Sequence, residues 1–143
     1  MLRGHTGDVN SVAICRSDLY IVSASNDSSV RVWSIASVGQ IKVLQGHGGV
    51  VCSVVISSDD AFIVSGNEDK TIRVWSVTSG ETIQVLRGHT GYLTSVSLSN
   101  DDKYLVSGGG YGDNSVRIWN LTEGLQTQEI KVHTGDVFSV KLI

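Results

Sequence analysis

Apolar residues along this chain alternate with polar ones at period 2 or gather in short β-branched runs, and no stretch of ten residues carries a helical stripe. The pattern predicts strands in groups of four. The first group is "VNSVAIC" (Val9–Cys15), "YIVSAS" (Tyr20–Ser25), "VRVWSI" (Val30–Ile35) and "QIKVL" (Gln40–Leu44). A second group reads "VCSVVIS", "FIVSG", "TIRVWSV" and "TIQVL"; a third reads "LTSVSLS", "YLVSG", "VRIWNL" and "TQEIKV". The connections "RSDL", "SSDD" and "SNDD" are polar and of hairpin length. Proline is absent, so the turns fall to 16 glycines with Asn, Asp and Ser.

The grouping is a repeat. His5, His47, His89 and His133 stand 42, 42 and 44 residues apart, and each of the first three precedes a tryptophan by 28, 28 and 30 residues. All three tryptophans close one phrase: "SNDSSVRVW", "NEDKTIRVW" and "YGDNSVRIW". His5–Gly46 laid over His47–Gly88 gives 20 identities in 42 positions without a gap. The third unit departs by two extra residues within "SGGGYGDN".

His5, Ser23, Asp27 and Trp33 recur at the same offsets as His47, Ser65, Asp69 and Trp75, and His89, Ser107, Asp113 and Trp119 form the third set. Ser, His and Asp together suggest nucleophilic catalysis. A triad, however, is built once around one pocket, whereas this set returns in every unit, so no enzyme activity is expected. Four histidines one per unit, with no Cys or carboxylate completing a site, predict no metal, and no cofactor motif stands out. "GGGYG" at Gly108–Gly112 precedes a strand and not the helix that a phosphate loop opens. Arg31, Arg73 and Arg117, alternating with apolar residues, are read as solvated strand-edge cations. A formal charge of −3 without a basic cluster argues against nucleic-acid or anionic-membrane partners. No apolar run approaches the roughly 18 residues of a membrane span, and "MLRGHTGDVN" does not read as a signal peptide. Cys15 and Cys52 have neither metal nor disulfide spacing and are expected to be reduced thiols in a cytosolic or nuclear protein.

Four strands per unit of about 42 residues, Gly-His near the front and Trp near the end, resemble the WD-repeat family of β-propellers. Ser34, Ser76 and Asn120 stand where the family's name expects Asp, and His133 follows Val132 and not Gly. The resemblance implies an all-β chain, a single WD-repeat domain over 1–143. Its blades lie at about 5–46, 47–88 and 89–132, with a partial fourth at 133–143 whose "DVFSVKLI" would be an innermost strand. It also implies that the turn Asp accepts a hydrogen bond from the His, which meets the Ser hydroxyl, with the indole N–H completing a structural network. The insertion separates Ser107 from Asp113 by six residues instead of four, so the third network is expected to be incomplete, and Asp113→Ala to cost less than Asp69→Ala.

The function implied is a scaffold for protein or peptide partners. A signalling role like that of the heterotrimeric G-protein beta subunit is one alternative, and a self-assembling structural fragment another. Family offsets nominate the partner-facing residues: Asp8, Asn10 and Asn26; Val50, Cys52 and Glu68; Tyr92, Thr94 and Gly112; then Asp136 and Phe138, with Tyr111 added by the insertion. Aromatic anchors beside carboxylates suit a basic, partly apolar peptide. Three blades fall short of the four to eight of a closed propeller. The chain is therefore expected to be a piece of a longer propeller, or to associate with copies of itself through open blade edges.

Overall fold

The computed structural model describes residues 1–131 and 133–143, in an all-β arrangement of three four-stranded antiparallel sheets. The first blade contains β1 (Val9–Ile14), β2 (Tyr20–Ser25), β3 (Val30–Ser34) and β4 (Gly39–Leu44). The second contains β5 (Val51–Ile56), β6 (Phe62–Asn67), β7 (Thr71–Ser76) and β8 (Thr82–Arg87). The third contains β9 (Leu93–Leu98), β10 (Tyr104–Gly109), β11 (Val116–Asn120) and β12 (Leu125–Ile130). Strand order within each sheet follows the chain, and β1 packs along β5 and β5 along β9 in an open array rather than a closed ring. The expected strand through Val132 ends at Ile130; Val132 itself lies outside the described residues.

Each hairpin has its own turn chemistry. Asp18, Asp60 and Asp102 take positive φ between the first and second strands, as Ser28, Lys70 and Asn114 do directly after the network Asp. The short polar side chains of Asp, Asn and Ser suit this left-handed conformation, and Lys70 is the one long side chain among the six.

The blades bury one another. Val22, Ala24, Val30, Val32 and Leu44 of the first blade pack on Val51, Val54, Ile63 and Trp75 of the second. Val64, Ile72, Val74 and Leu86 repeat this against Leu93, Val96, Leu105 and Trp119 of the third. Side-chain clasps run between blades as well. Ser11 Oγ accepts from Val54 N and Ser53 Oγ from Val96 N, each at 3.2 Å. The Asp60 carboxylate accepts from Arg16 N and Ser17 N at 2.8 and 2.9 Å, and Asp102 accepts from Ser58 N at 2.7 Å.

Residues 136–143, the expected first strand of a fourth blade, belong to none of these ladders. They lie along β9, as β9 lies along β5. Val140 N and Leu142 N donate to Ser95 and Ser97 Oγ at 3.3 and 3.1 Å, Thr94 Oγ1 donates to Val137 O, and Val137 N reaches Gly109 O. A strand needs in-sheet neighbours, which this segment lacks among the described residues; clasps from the neighbouring blade satisfy part of its backbone instead.

Candidate functional site

The repeated polar set sits between the first three strands of each blade. In the first, Trp33 Nε1 donates to Ser23 Oγ at 2.8 Å, His5 Nε2 lies 2.6 Å from that oxygen, and His5 Nδ1 lies 2.8 Å from Asp27 Oδ2. The second blade repeats these links at 2.8, 2.7 and 3.2 Å through Trp75, Ser65, His47 and Asp69. Because each serine accepts from an indole, its own proton goes to His Nε2, leaving Nδ1–H to donate to the carboxylate. One consistent chain of donors, Trp to Ser to His to Asp, keeps the histidine neutral. Ser65 and Ser107 are fully buried, so neither hydroxyl is presented to a substrate.

In the third blade the expected incompleteness is confined to one link. Ser107 keeps its place, 2.6 Å from His89 Nε2 and 2.8 Å from Trp119 Nε1. The insertion is absorbed between Gly110 and Asp113, and Asn114 after the Asp takes positive φ as Ser28 does. Asp113 Oδ2 comes within 3.1 Å of His89 Nδ1, although the angle is too poor for a hydrogen bond. The four residues therefore meet, and only this last link is imperfect. Gly109 explains how. Its counterparts Ser25 and Asn67 carry side chains that accept from Asp27 N and Asp69 N. At Gly109 a Cβ would collide with the Asp113 carboxylate and sit 2.8 Å from His89 Nδ1, so the carboxylate occupies that missing side chain's space.

Sequence reasoning missed a hydroxyl in each network and an arginine beside the first and third. Ser29, Thr71 and Ser115, two residues after each Asp, donate both N–H and O–H to its Oδ1. The arginines are not strand-edge cations. Arg117 is buried, pairs with Glu129 at 3.0 Å and approaches Asp113 to 3.6 Å, while Arg31 approaches Asp27 to 3.8 Å. Arg73 lies over the Trp75 ring. The i, i+4 spacing of Asp and Arg in all three phrases was the available signal.

These contacts set the ionisation. Burial opposes charge on Asp27, Asp69 and Asp113, but hydrogen bonds from the following hydroxyl and backbone amides, with the nearby histidine, outweigh it and hold all three below the usual carboxylate range. Burial pushes His47 and His89 down, against the pull of their Asp partners. Cys52 is pushed up to about 11 by burial and by Glu68.

Above the networks, on the loop face, a groove of about 540 Å³ spans the three blades. From the first blade Asn10 and Asn26 line it; from the second, Val50, Cys52 and Glu68; from the third, Tyr92, Thr94 and Tyr111; and from the last segment, Asp136 and Phe138. Asp8 lies outside it, Gly112 borders a separate shallow hollow, and Leu93 and Gly110 complete the lining. Backbone irregularity aims the side chains. In each first strand one residue is skipped by the pairing: Asn10 between Val9 and Ser11, Cys52 between Val51 and Ser53, Thr94 between Leu93 and Ser95. Such a bulge re-aims the extra residue, here toward the groove. Tyr111 is held at φ +46°, a region bulky residues seldom occupy, with its amide on Asp136 Oδ1 at 2.7 Å and its ring stacked on Tyr92 at 5.4 Å and 14°. Phe138 is 80% exposed at the rim. Among the described residues no group of three His, Cys, Asp or Glu side chains is placed to hold a metal, and no helix is long and apolar enough to cross a membrane.

The family model "WD domain, G-beta repeat" matches residues 1–34, 39–76 and 80–120, and the chain belongs to the WD-repeat family. It is similar to a solved structure of U3-55K, with TM-score 0.91 and 27% identity over 98% of this chain and 44% of that one. A crystal structure of the RRP9 WD40 repeats gives 0.91 and 27% over 98% and 43%. The chain thus spans under half the length of these structures. No curated protein matches the sequence. WD-repeat propellers are generally protein-interaction scaffolds and typically not enzymes.

Proposed function

We propose that the chain is a scaffold that holds a peptide segment of a partner protein in the loop-face groove. One observation carries this reading: a single groove collects side chains from every blade and combines stacked aromatic rings with carboxylates. Tyr92, Tyr111 and Phe138 offer apolar contact, and Glu68 and Asp136 favour a ligand bearing Lys or Arg. The groove carries no nucleophile aligned with a base; Cys52 is its one thiol, and its raised pKa keeps it protonated at neutral pH. Peptides selected from a random library on the immobilised chain are expected to pair a basic residue with an apolar one. Alanine at exposed Tyr111 and Phe138 together should weaken them at least ~10-fold, about 1.4 kcal/mol. Binding that survives both substitutions would overturn the site.

A further inference from the structure

The two joints between blades are built alike but do not close alike. On the face opposite the groove lie the turns that join first to second and third to fourth strands. Between the first and second blades, two side chains fill the space among these turns. Tyr20 OH donates to Asp60 O at 2.9 Å. Lys42 runs its stem past Gly80, where a Cβ would stand 3.4 Å from Cδ, and its Nζ donates to Val77 O at 2.7 Å and to Thr78 O. Between the second and third blades both side chains are replaced, by Phe62 and Gln84, each 42 residues on. Phe62 has no hydroxyl to offer Asp102 O. Gln84 lays its amide against Gly124, where a Cβ would collide with Nε2. A hollow of about 410 Å³ remains, lined by the apolar Phe62, Val74, Ile83 and Leu121 and by Asp102 and Thr122. Both blades of this joint are in place, so the hollow is a gap within the array.

We propose that this hollow binds the side chain of a lysine on a partner polypeptide, seated as Lys42 is seated one joint earlier. The acceptors stand in the same arrangement. Gly80 N donates to Ser76 O and Gly124 N to Asn120 O, at 2.8 and 2.9 Å, and both glycines have positive φ. Val77 N and Leu121 N reach back to Ala61 O and Lys103 O in the same way. The carbonyls of Leu121 and Thr122 are therefore placed as those of Val77 and Thr78, which hold an ammonium. The carboxylates differ in the ligand's favour. Asp60 gives one oxygen to each of two amides, those of Arg16 and Ser17. Asp102 accepts from Ser58 N and Ser58 Oγ through Oδ2, at 2.7 and 2.6 Å, which leaves Oδ1 for another donor. Exposed Glu123, where the second blade has Ser79, adds negative charge at the rim. Phe62, Val74 and Ile83, the last 62% exposed, offer an apolar wall to a methylene stem whose charged head lies beyond it. Arginine fits less well, because its donors fan out in one rigid plane whereas a compact ammonium can reach two neighbouring carbonyls.

The hollow shares no lining residue with the loop-face groove, so either site can fail without the other. Amide chemical shifts of the full isotope-labelled chain, titrated with a capped Gly-Lys-Gly tripeptide, test it. Shifts are expected at Gln84, at Asp102 and from Leu121 to Gly124, with a Kd on the order of 1–10 mM. Tripeptides with norleucine or acetyl-lysine keep the stem without the charge and should bind at least ~10-fold more weakly, and the arginine form at least ~3-fold more weakly. Gln84→Lys brings its own ammonium to the two carbonyls and should weaken the lysine tripeptide at least ~10-fold. Glu123→Gln alters only an exposed side chain and should weaken it ~2–3-fold, which keeps the test decisive if Gln84→Lys loses its folded spectrum. Amides that stay unmoved at ~20 mM lysine tripeptide overturn the proposal. Equal binding of the norleucine form would mark a merely apolar hollow, and equal binding of the arginine form a merely acidic one; either result rejects the lysine seat. Shifts confined to Tyr92 and Tyr111 would reject it too, by assigning the lysine to the loop-face groove.

Discussion

At the residue scale, the three networks share their chemistry but differ in depth. Asp69 keeps a side chain 20% exposed, whereas that of Asp113 is fully buried. Asp113 accepts from Thr90 N at 2.5 Å and from Ser115 N at 3.1 Å, takes the Thr90 and Ser115 hydroxyls, and neighbours the buried Arg117. Removing a carboxylate from such a site strands several buried donors and part of a cation's partnership. Asp113→Ala is therefore expected to cost about 3 kcal/mol, against about 1–2 for Asp69→Ala. This reverses the order expected from loop length alone. Urea melts of the two variants check it, and equal midpoints would show that burial at Asp113 carries no extra weight.

At the element scale, an insertion and a bulge explain where sequence pattern served and where it stopped. Period 2 and the 42-residue repeat made the three sheets legible, because hydrophobic alternation and turn chemistry are local properties. The bulge was also written there, though it was not read. Val51 and Val54 are both buried, as are Leu93 and Val96, and a spacing of three cannot share a face in a regular strand. Asn10, Cys52 and Thr94 were nominated by family resemblance; their bulged position supplies the physical reason they point outward. Residues 136–143 take the expected place beside β9 but form no ladder, because an apolar alternating run becomes a strand only where a neighbour exists. The third-blade loop was beyond sequence reading, since its outcome depends on what Gly109 lacks. Gly109→Asn is expected to destabilise the chain by about 1–3 kcal/mol through overpacking against Asp113 and His89. The same substitution combined with deletion of Tyr111 and Gly112 restores the first two blades' loop length and should recover most of that loss. Thermal melts of the single and combined variants decide it, and a combined variant no more stable than Gly109→Asn alone would refute the space-filling account.

At the scale of the whole molecule, the buried histidines of the second and third blades tie stability to pH. His47 and His89 are held neutral in the fold, with burial lowering their affinity for a proton despite the carboxylate partners. In the unfolded chain each regains an ordinary pKa near 6.5. Above that value neither state binds the proton and the histidines contribute no pH dependence. As pH falls below about 6.5 the unfolded state takes up protons that the folded state refuses, so stability falls in proportion to the difference, up to two protons for the pair. The carboxylates act lower. Asp27, Asp69 and Asp113 have folded pKa values below their unfolded ones, so their contribution is present above about pH 4 and is lost as pH falls through the folded values. Two acid-sensitive windows are expected, a shallow one from about pH 6.5 downward and a steeper one below about pH 4. Urea unfolding at intervals from pH 7.5 to 3 measures the slopes. Each histidine contributes at most about 1.4 kcal/mol per pH unit in the upper window. His47→Gln, which cannot take up a proton in either state, should remove its share of that slope while shifting the whole curve down through lost hydrogen bonds. An upper window that keeps its full slope in this variant would mean that His47 is as easily protonated folded as unfolded, and that the neutral Trp-to-Ser-to-His-to-Asp chain is assigned the wrong way round.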